Sequence, residues 1–208
     1  MKVFLLGVCL SLLPLGVQAQ AFFRGNVLIS GYGGFPNLMR VNFKNTENLP
    51  FGPQLTYSGL APSGLRAIYM LSDQFGMGLD LMYGQIKGSY SMTEQQFINN
   101  QWTNVQTTYT AIKYQFRPQL RMNMHLQSYN PNFDHYYGIG IGFNVRRHRQ
   151  YLNDSLLIKG KNPEDYTSPV SFRLCYGLHY QLNTQWSVGA EFGLGGPLAQ
   201  CFMAYRIF

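Results

Sequence analysis

Two carboxylates, Asp80 and Glu191, stand in segments otherwise dominated by apolar residues and glycine, and Arg66, Lys113, Arg117, Arg173 and Arg206 occupy comparable settings. Carboxylates and guanidinium groups removed from water must pair and hydrogen-bond, because an isolated buried charge is costly. The seven residues are therefore expected to form an internal ion-pair network. Glu191 could also orient a histidine, but charge pairing is the simpler role. Other residue patterns are less productive. His125, His135, His148 and His179 form no close pair at ligand spacing, and only Cys175 lies near one of them, His179, so no metal site is predicted. His125 and Ser128 are three apart, which places them on opposite faces of a strand and denies them nucleophile–base cooperation. Gly138, Gly140 and Gly142 fall within a strand with no following helix, unlike a dinucleotide-binding turn. Their expected role is to leave room for large side chains opposite. Arg146-Arg147-His148-Arg149 is a dense basic cluster, suited to phosphate oxygens through its guanidinium forks and otherwise a solvated rim. No catalytic residue and no cofactor is predicted.

The elements that must position these groups read as strands. Helical periodicity is nearly absent and period-2 alternation recurs. Apolar faces run through Leu65, Ala67, Tyr69 and Leu71; through Phe75, Met77, Leu79, Leu81 and Tyr83; through Thr108, Thr110, Ile112, Tyr114 and Phe116; and through Tyr137, Ile139, Ile141, Phe143 and Val145. Three more run from Val170 to Tyr180, from Trp186 to Leu194 and from Ala199 to Ile207. An eighth segment, Val27 to Gly33, is weaker because Leu28 and Tyr32 compete with Val27 and Ile29 for the apolar face. When each phase is fixed from the apolar residues alone, all seven candidate network residues fall on the opposite face. Aromatics gather near strand ends, as an interfacial girdle would require. Short turns are expected at 72–74, 183–185 and 195–197, a medium one near 122–133, and longer polar connections at 36–62, 88–106 and 147–168. Trp102 falls in the polar stretch Gln95 to Gln106, either exposed for recognition or packed within its own loop.

Composition agrees. Of 208 residues, only 12% are charged while 15% are aromatic, low charge and high aromatic content for a soluble domain. Mean hydropathy is -0.14, which argues against a helical membrane protein. Residues 1–19 read as a signal peptide: Lys2 supplies the positive end, Val3 to Val17 the apolar stretch, and Val17-Gln18-Ala19 a cleavage site before Gln20, with Ala19-Gln20-Ala21 as the alternative. Residues 20–208 then form one domain. Removing Lys2 lowers the formal charge from +7 to about +6, but the charges are scattered and no nucleic-acid partner is expected. Cys175 and Cys201 could form one disulfide in an oxidising compartment.

Tyr137-Gly138-Ile139-Gly140-Ile141-Gly142-Phe143 resembles the aromatic–glycine strands of small outer-membrane β-barrel proteins. So do Tyr69-Met70-Leu71-Ser72-Asp73-Gln74-Phe75-Gly76-Met77-Gly78 and Val188-Gly189-Ala190-Glu191-Phe192-Gly193-Leu194-Gly195-Gly196-Pro197. The sequence is similar to OmpA/OmpX-like barrel domains in a Bacteroidetes-type form. That resemblance covers most of the chain after residue 19 and implies location and fold more than activity. It also implies a terminal aromatic read by the barrel-assembly machinery. Phe208 is terminal, but strict alternation puts it on the face of Arg206, unless the last strand carries a bulge.

The expected architecture is all-β: a closed, antiparallel, up-and-down transmembrane β-barrel, eight-stranded, or ten-stranded if 38–57 contributes strands. Its interior would be filled by side chains, as in other eight-stranded barrels. The expected role is non-enzymatic, in envelope structure or in contact with a protein partner through the outer loops. Outer-membrane lipid and lipopolysaccharide are the expected surroundings, the latter touching Arg146, Arg147 and Arg149. The alternatives are a barrel enzyme acting on outer-membrane lipid, a secreted soluble barrel with an apolar ligand inside, and a narrow porin-like channel.

Overall fold

The structure, a computed structural model, describes residues 22–37, 56–98, 101–126, 128, 130–160 and 169–207. The predicted signal peptide and its cleavage site, most of the 36–62 connection, and Phe208 lie outside the described residues. The chain forms strands β1 (Val27–Phe35), β2 (Thr56–Ser58), β3 (Ser63–Met70), β4 (Phe75–Ile98), β5 (Gln101–Leu126), β6 (Phe133–Phe143), β7 (Val145–Leu152), β8 (Ser155–Gly160), β9 (Val170–Gln181), β10 (Trp186–Leu194) and β11 (Ala199–Ile207).

Eight of them close a ring in the order β1, β3, β4, β5, β6, β9, β10, β11, every neighbour antiparallel. The seam pairs β1 with β11 from Val27↔Ile207 to Phe35↔Ala199. Because that register is unbroken, the last strand carries no bulge through Ile207, and Arg206 keeps its inward phase. β2 pairs only with the outer part of β4, from Thr56↔Ser89 to Ser58↔Lys87, so it adds no strand to the ring.

The alternation sorts side chains by face. In β1 the sequence ambiguity resolves with Leu28, Ser30 and Tyr32 inside and Ile29 outside. Outside the ring, Leu65, Leu79, Leu120, Met122, Ile139, Ile141, Phe172 and Leu194 form an exposed apolar belt. Inside, Arg66, Asp80, Gln119, Arg121, Asn123, Arg173 and Glu191 are buried. Strands β1, β6, β9, β10 and β11 are 9 to 12 residues long, close to the ~9–11 residues a tilted strand needs to cross a bilayer.

Two polar stretches expected as loops are instead paired strands. The β4–β5 hairpin keeps one register from Phe75↔Met124 to Ile98↔Gln101, so 88–98 and 101–106 rise above the ring as a ribbon. Its outer part is laced by Ser89–Thr110 and Ser91–Thr108 hydroxyl pairs at 3.1 and 2.9 Å and by stacked Tyr90 and Tyr109 rings. Trp102 sits near its tip, exposed, against Phe97 at a ring distance of 5.2 Å. Residues 147–160 likewise form β7 and β8, joined at Asn153 (φ 44°) and Asp154 (φ 65°). Two successive left-handed residues match the turn that fits strand twist, and Asn and Asp tolerate that conformation.

The medium turn is shorter than expected, because β5 runs on to Leu126. β5 passes through Pro118 without losing its β4 register at Leu81↔Pro118. On the other side the ladder stops. β7 pairs up to Phe116↔Val145 and β6 resumes at Gln119↔Gly142. Proline has no N–H to donate, which accounts for this gap. On the other edge, Asn144 donates its N–H to Pro169 O at 2.8 Å, continuing the β6–β9 register.

Candidate functional site

The lumen holds the chemistry. Glu191, 0% exposed on β10, faces Arg66 from β3, Arg121 from β5 and Arg173 from β9. Its Oε2 accepts from Arg66 Nη1 at 3.0 Å and from Tyr136 Oη at 2.8 Å, and pairs with Arg121 Nη2. Its Oε1 accepts from Arg173 Nε at 2.8 Å and lies 2.7 Å from Arg173 Nη2. Asp80 completes the network. Its Oδ2 lies 2.9 Å from Arg66 Nη2 and 3.3 Å from Arg121 Nη1, and its Oδ1 accepts from Tyr32 Oη at 2.5 Å. Three guanidinium groups thus surround two carboxylates, and two tyrosine hydroxyls donate to remaining lone pairs. The Arg66–Glu191 and Arg121–Glu191 pairs cross the lumen, since β3 and β5 each lie three strands from β10 in the ring. They bolt opposite walls together, and breaking one partner strands charge in a low-dielectric interior.

Of the seven residues predicted for the network, Arg66, Asp80, Arg173 and Glu191 join it. Arg117 does not; it sits one level outward and donates Nη1 to Gly195 O at 2.6 Å. Lys113 faces inward higher still, in register with His148. Arg206 lies at the short-turn rim and bonds Thr184 O. The residue that sequence reasoning missed is Arg121, 1% exposed, which also donates Nε to Asn123 Oδ1 at 2.9 Å and contacts Cys175 Sγ at 2.9 Å. Cys175 faces the lumen while Cys201 is exposed on the outer wall, so the two are free thiols and form no disulfide.

Gly138 and Gly140 make space for side chains as expected, whereas Gly142 lies against the backbone of Pro118 and Gln119. A Cβ on Gly138 would lie 2.6 Å from Cys175 Sγ and 2.7 Å from Arg121 Nη2. On Gly177 it would lie 2.1 Å from Tyr136 Cζ. Tyr136 is 0% exposed and hydrogen-bonded to Glu191, so its ring has nowhere to yield. Gly177→Ala is therefore expected to destabilise the barrel by about 1–3 kcal/mol through overpacking, read as a lower midpoint in reversible denaturant unfolding. An unchanged midpoint would mean that the ring moves freely.

Below the network, toward the short turns, lies a second cluster. His125 and Asp134 pair through Nδ1 and Oδ2 at 2.6 Å, and His179 Nδ1 lies 3.4 Å from Ser187 Oγ. Phe22 plugs this end, 1% exposed, with its ring edge-on to His125 at 5.7 Å and to His179 at 5.0 Å. Tyr136 packs against both imidazoles and Phe202 against that of His179. His125 thus partners Asp134, not Ser128. The Ser187–His179 contact is walled in by aromatic rings rather than set at the rim or on the outer wall. Among the described residues no three His, Cys, Asp or Glu side chains converge in a metal-binding group.

The basic cluster splits across the wall. Arg146 and His148 point inward and Arg147 and Arg149 outward, as strand alternation in β7 requires. With its amide oriented to suit its neighbours, the Gln115 oxygen accepts from Arg117 Nη2 at 2.7 Å and from Arg146 Nε at 3.3 Å.

No family model matches this sequence. No curated protein matches it either. Several solved structures are similar in fold, among them three outer-membrane barrels. The N-terminal β-barrel domain of Pseudomonas aeruginosa OprF is 12% identical, with 89% of this chain and 100% of that one covered and a TM-score of 0.43. The outer membrane protein OprG of Pseudomonas aeruginosa is 13% identical, with 92% and 99% covered and a TM-score of 0.41. The Escherichia coli Outer Membrane Protein W is 16% identical, with 89% and 99% covered and a TM-score of 0.43.

Proposed function

We propose that this chain is an integral outer-membrane β-barrel with a sealed lumen, serving envelope structure or contact with a protein partner through its outer hairpins, and performing no catalysis. One observation carries the reading: the ring is apolar outside and ionic inside. Leu79, Leu120, Ile141 and Leu194 are each more than half exposed, whereas Asp80, Arg121, Arg173 and Glu191 are buried. A soluble barrel would reverse that polarity, and a belt of this extent exposed to water would drive aggregation. Closure also leaves no unpaired strand edge in lipid. The turns at 72–74 and 183–185 and the Val27↔Ile207 end of the seam then face the periplasm, and the β4–β5 and β7–β8 hairpins, with the tight 195–197 turn, face outward. Insertion would require the barrel-assembly machinery.

Support for a structural role comes from how the polar lumen groups are used. The carboxylates are saturated by three arginines and two tyrosines, and Phe22 closes the inner mouth, which also argues against a channel. The expected result is a protein that fractionates with outer membranes, migrates differently on gels before and after heating, and shows no conductance steps in planar bilayers. A soluble protein of constant mobility would overturn the membrane assignment, and regular conductance steps would overturn the seal.

A further inference from the structure

The outer wall carries a basic patch just above the belt. β4, β5 and β7 lie side by side there, with Lys87↔Ile112↔Arg149 in one cross-strand row and Gln85↔Tyr114↔Arg147 in the next row toward the membrane. Below these rows comes Tyr83↔Phe116↔Val145, the top of the apolar belt. Lys87, Arg147 and Arg149 thus share the lipid-side face of one sheet. Strand spacing and rise place Lys87 about 10 Å from Arg149 and Arg147 about 7 Å from it, backbone to backbone. Arg149 is held against its neighbour strand: its guanidinium lies 5.4 Å over the Tyr114 ring. The cation is therefore presented at a fixed height rather than on a free side chain.

Tyrosines mark the depth at which a barrel meets headgroups, so the three cations stand at the level of lipid phosphates. Resting on the membrane assignment proposed above, we infer that Lys87, Arg147 and Arg149 form a binding ledge for the phosphates of an outer-leaflet glycolipid of the lipid A type. Guanidinium forks match phosphate oxygens in two-point contacts, and a lysine adds a compact charge. The apolar wall beneath, with Leu81, Phe116 and Leu120 exposed, is where the acyl chains would lie. Arg146 has no part in this site because it points inward, and Lys87 enters although it is remote in sequence from the basic cluster.

The test uses the full barrel refolded in lipopolysaccharide-free detergent, with bisphosphorylated lipid A as the probe and retained lipid measured by native mass spectrometry. Dephosphorylated lipid A and phosphatidylglycerol are run in parallel. The expected result is that K87Q/R147Q/R149Q weakens binding of the bisphosphorylated form about a hundredfold, at about fivefold per cation near a lipid surface. R146Q is expected to leave it unchanged. Equal binding by the triple variant, or equal wild-type binding of dephosphorylated lipid A or phosphatidylglycerol, would overturn the ledge. Heat-dependent gel mobility is recorded on the same samples. The triple variant keeps it, because none of the three residues touches the lumen; loss of mobility change in the wild type itself would instead reject the membrane barrel.

Discussion

Replacing Glu191 by glutamine is expected to destabilise the barrel by about 3–5 kcal/mol, the usual cost of removing one partner from a buried ion-pair set. The substitution keeps the shape of the side chain but removes the charge that holds Arg66, Arg121 and Arg173 together. Arg66 and Arg121 would then share Asp80, while Arg173 would lose the carboxylate it pairs with. The cost is therefore the uncompensated repulsion of buried cations, not the loss of a single hydrogen bond. Urea unfolding of the barrel in lipid vesicles reads the effect as a lower midpoint, and gel mobility reads it as a lower temperature for loss of the compact form. Asp154→Asn is the control: it lies exposed in the β7–β8 turn, where Asn keeps the left-handed conformation, and no shift is expected. If Glu191→Gln and Asp154→Asn behave alike, the network does not hold the walls together.

Phe22→Ala is the second substitution of large expected effect, at about 3 kcal/mol, the lower end of the range for deleting a buried phenyl ring. The lower end applies because the vacated space lies at the inner mouth, where water can enter. Phe22 packs with Leu28, Ile68 and Met70 on one side and with His125 and His179 on the other. Its loss removes that apolar contact and wets two buried imidazoles together. The same denaturant titration measures it. Phe22→Leu, which restores most of the apolar volume, is expected to recover most of the midpoint. A midpoint unchanged in Phe22→Ala would show that the ring contributes nothing to closure.

Much of this arrangement is legible in the residues. Phase alone places Arg66, Asp80, Arg173 and Glu191 together, because a one-residue slip would turn every side chain of a strand to the other face. Arg121 escaped the same logic. Pro118 and the polar residues Gln119 and Asn123 suggest that a strand has ended, yet Leu120, Met122 and Met124 continue the outward apolar set and carry the signal that β5 goes on. Arg117, Lys113 and Arg206 have the right face but the wrong height, which alternation does not encode. Height depends on strand stagger around the ring. The outer ribbons were also hidden. Residues 88–106 lack an apolar face because both faces of that hairpin are clear of the belt, so its strands are held by the ladder and by Ser–Thr and Tyr–Tyr pairs instead. Phe22 gave no strand signal at all, since it precedes β1 and acts by capping the lumen.

The single register of β4 and β5 has a kinetic consequence. Ile98↔Gln101 brings together residues three apart, and each further pair of that ladder adds only a short increment of chain, so the hairpin can zip from its tip. The seam joins the first and last strands, and each doubling of the enclosed loop adds about 0.6 kcal/mol of entropy cost before any contact forms. Low contact order favours the central ribbon as the nucleus and leaves the β1–β11 ladder as the closing step. Until that step β1 and β11 are the open edges of a curled sheet, the surfaces through which an assembling chain can be captured, swapped or guided.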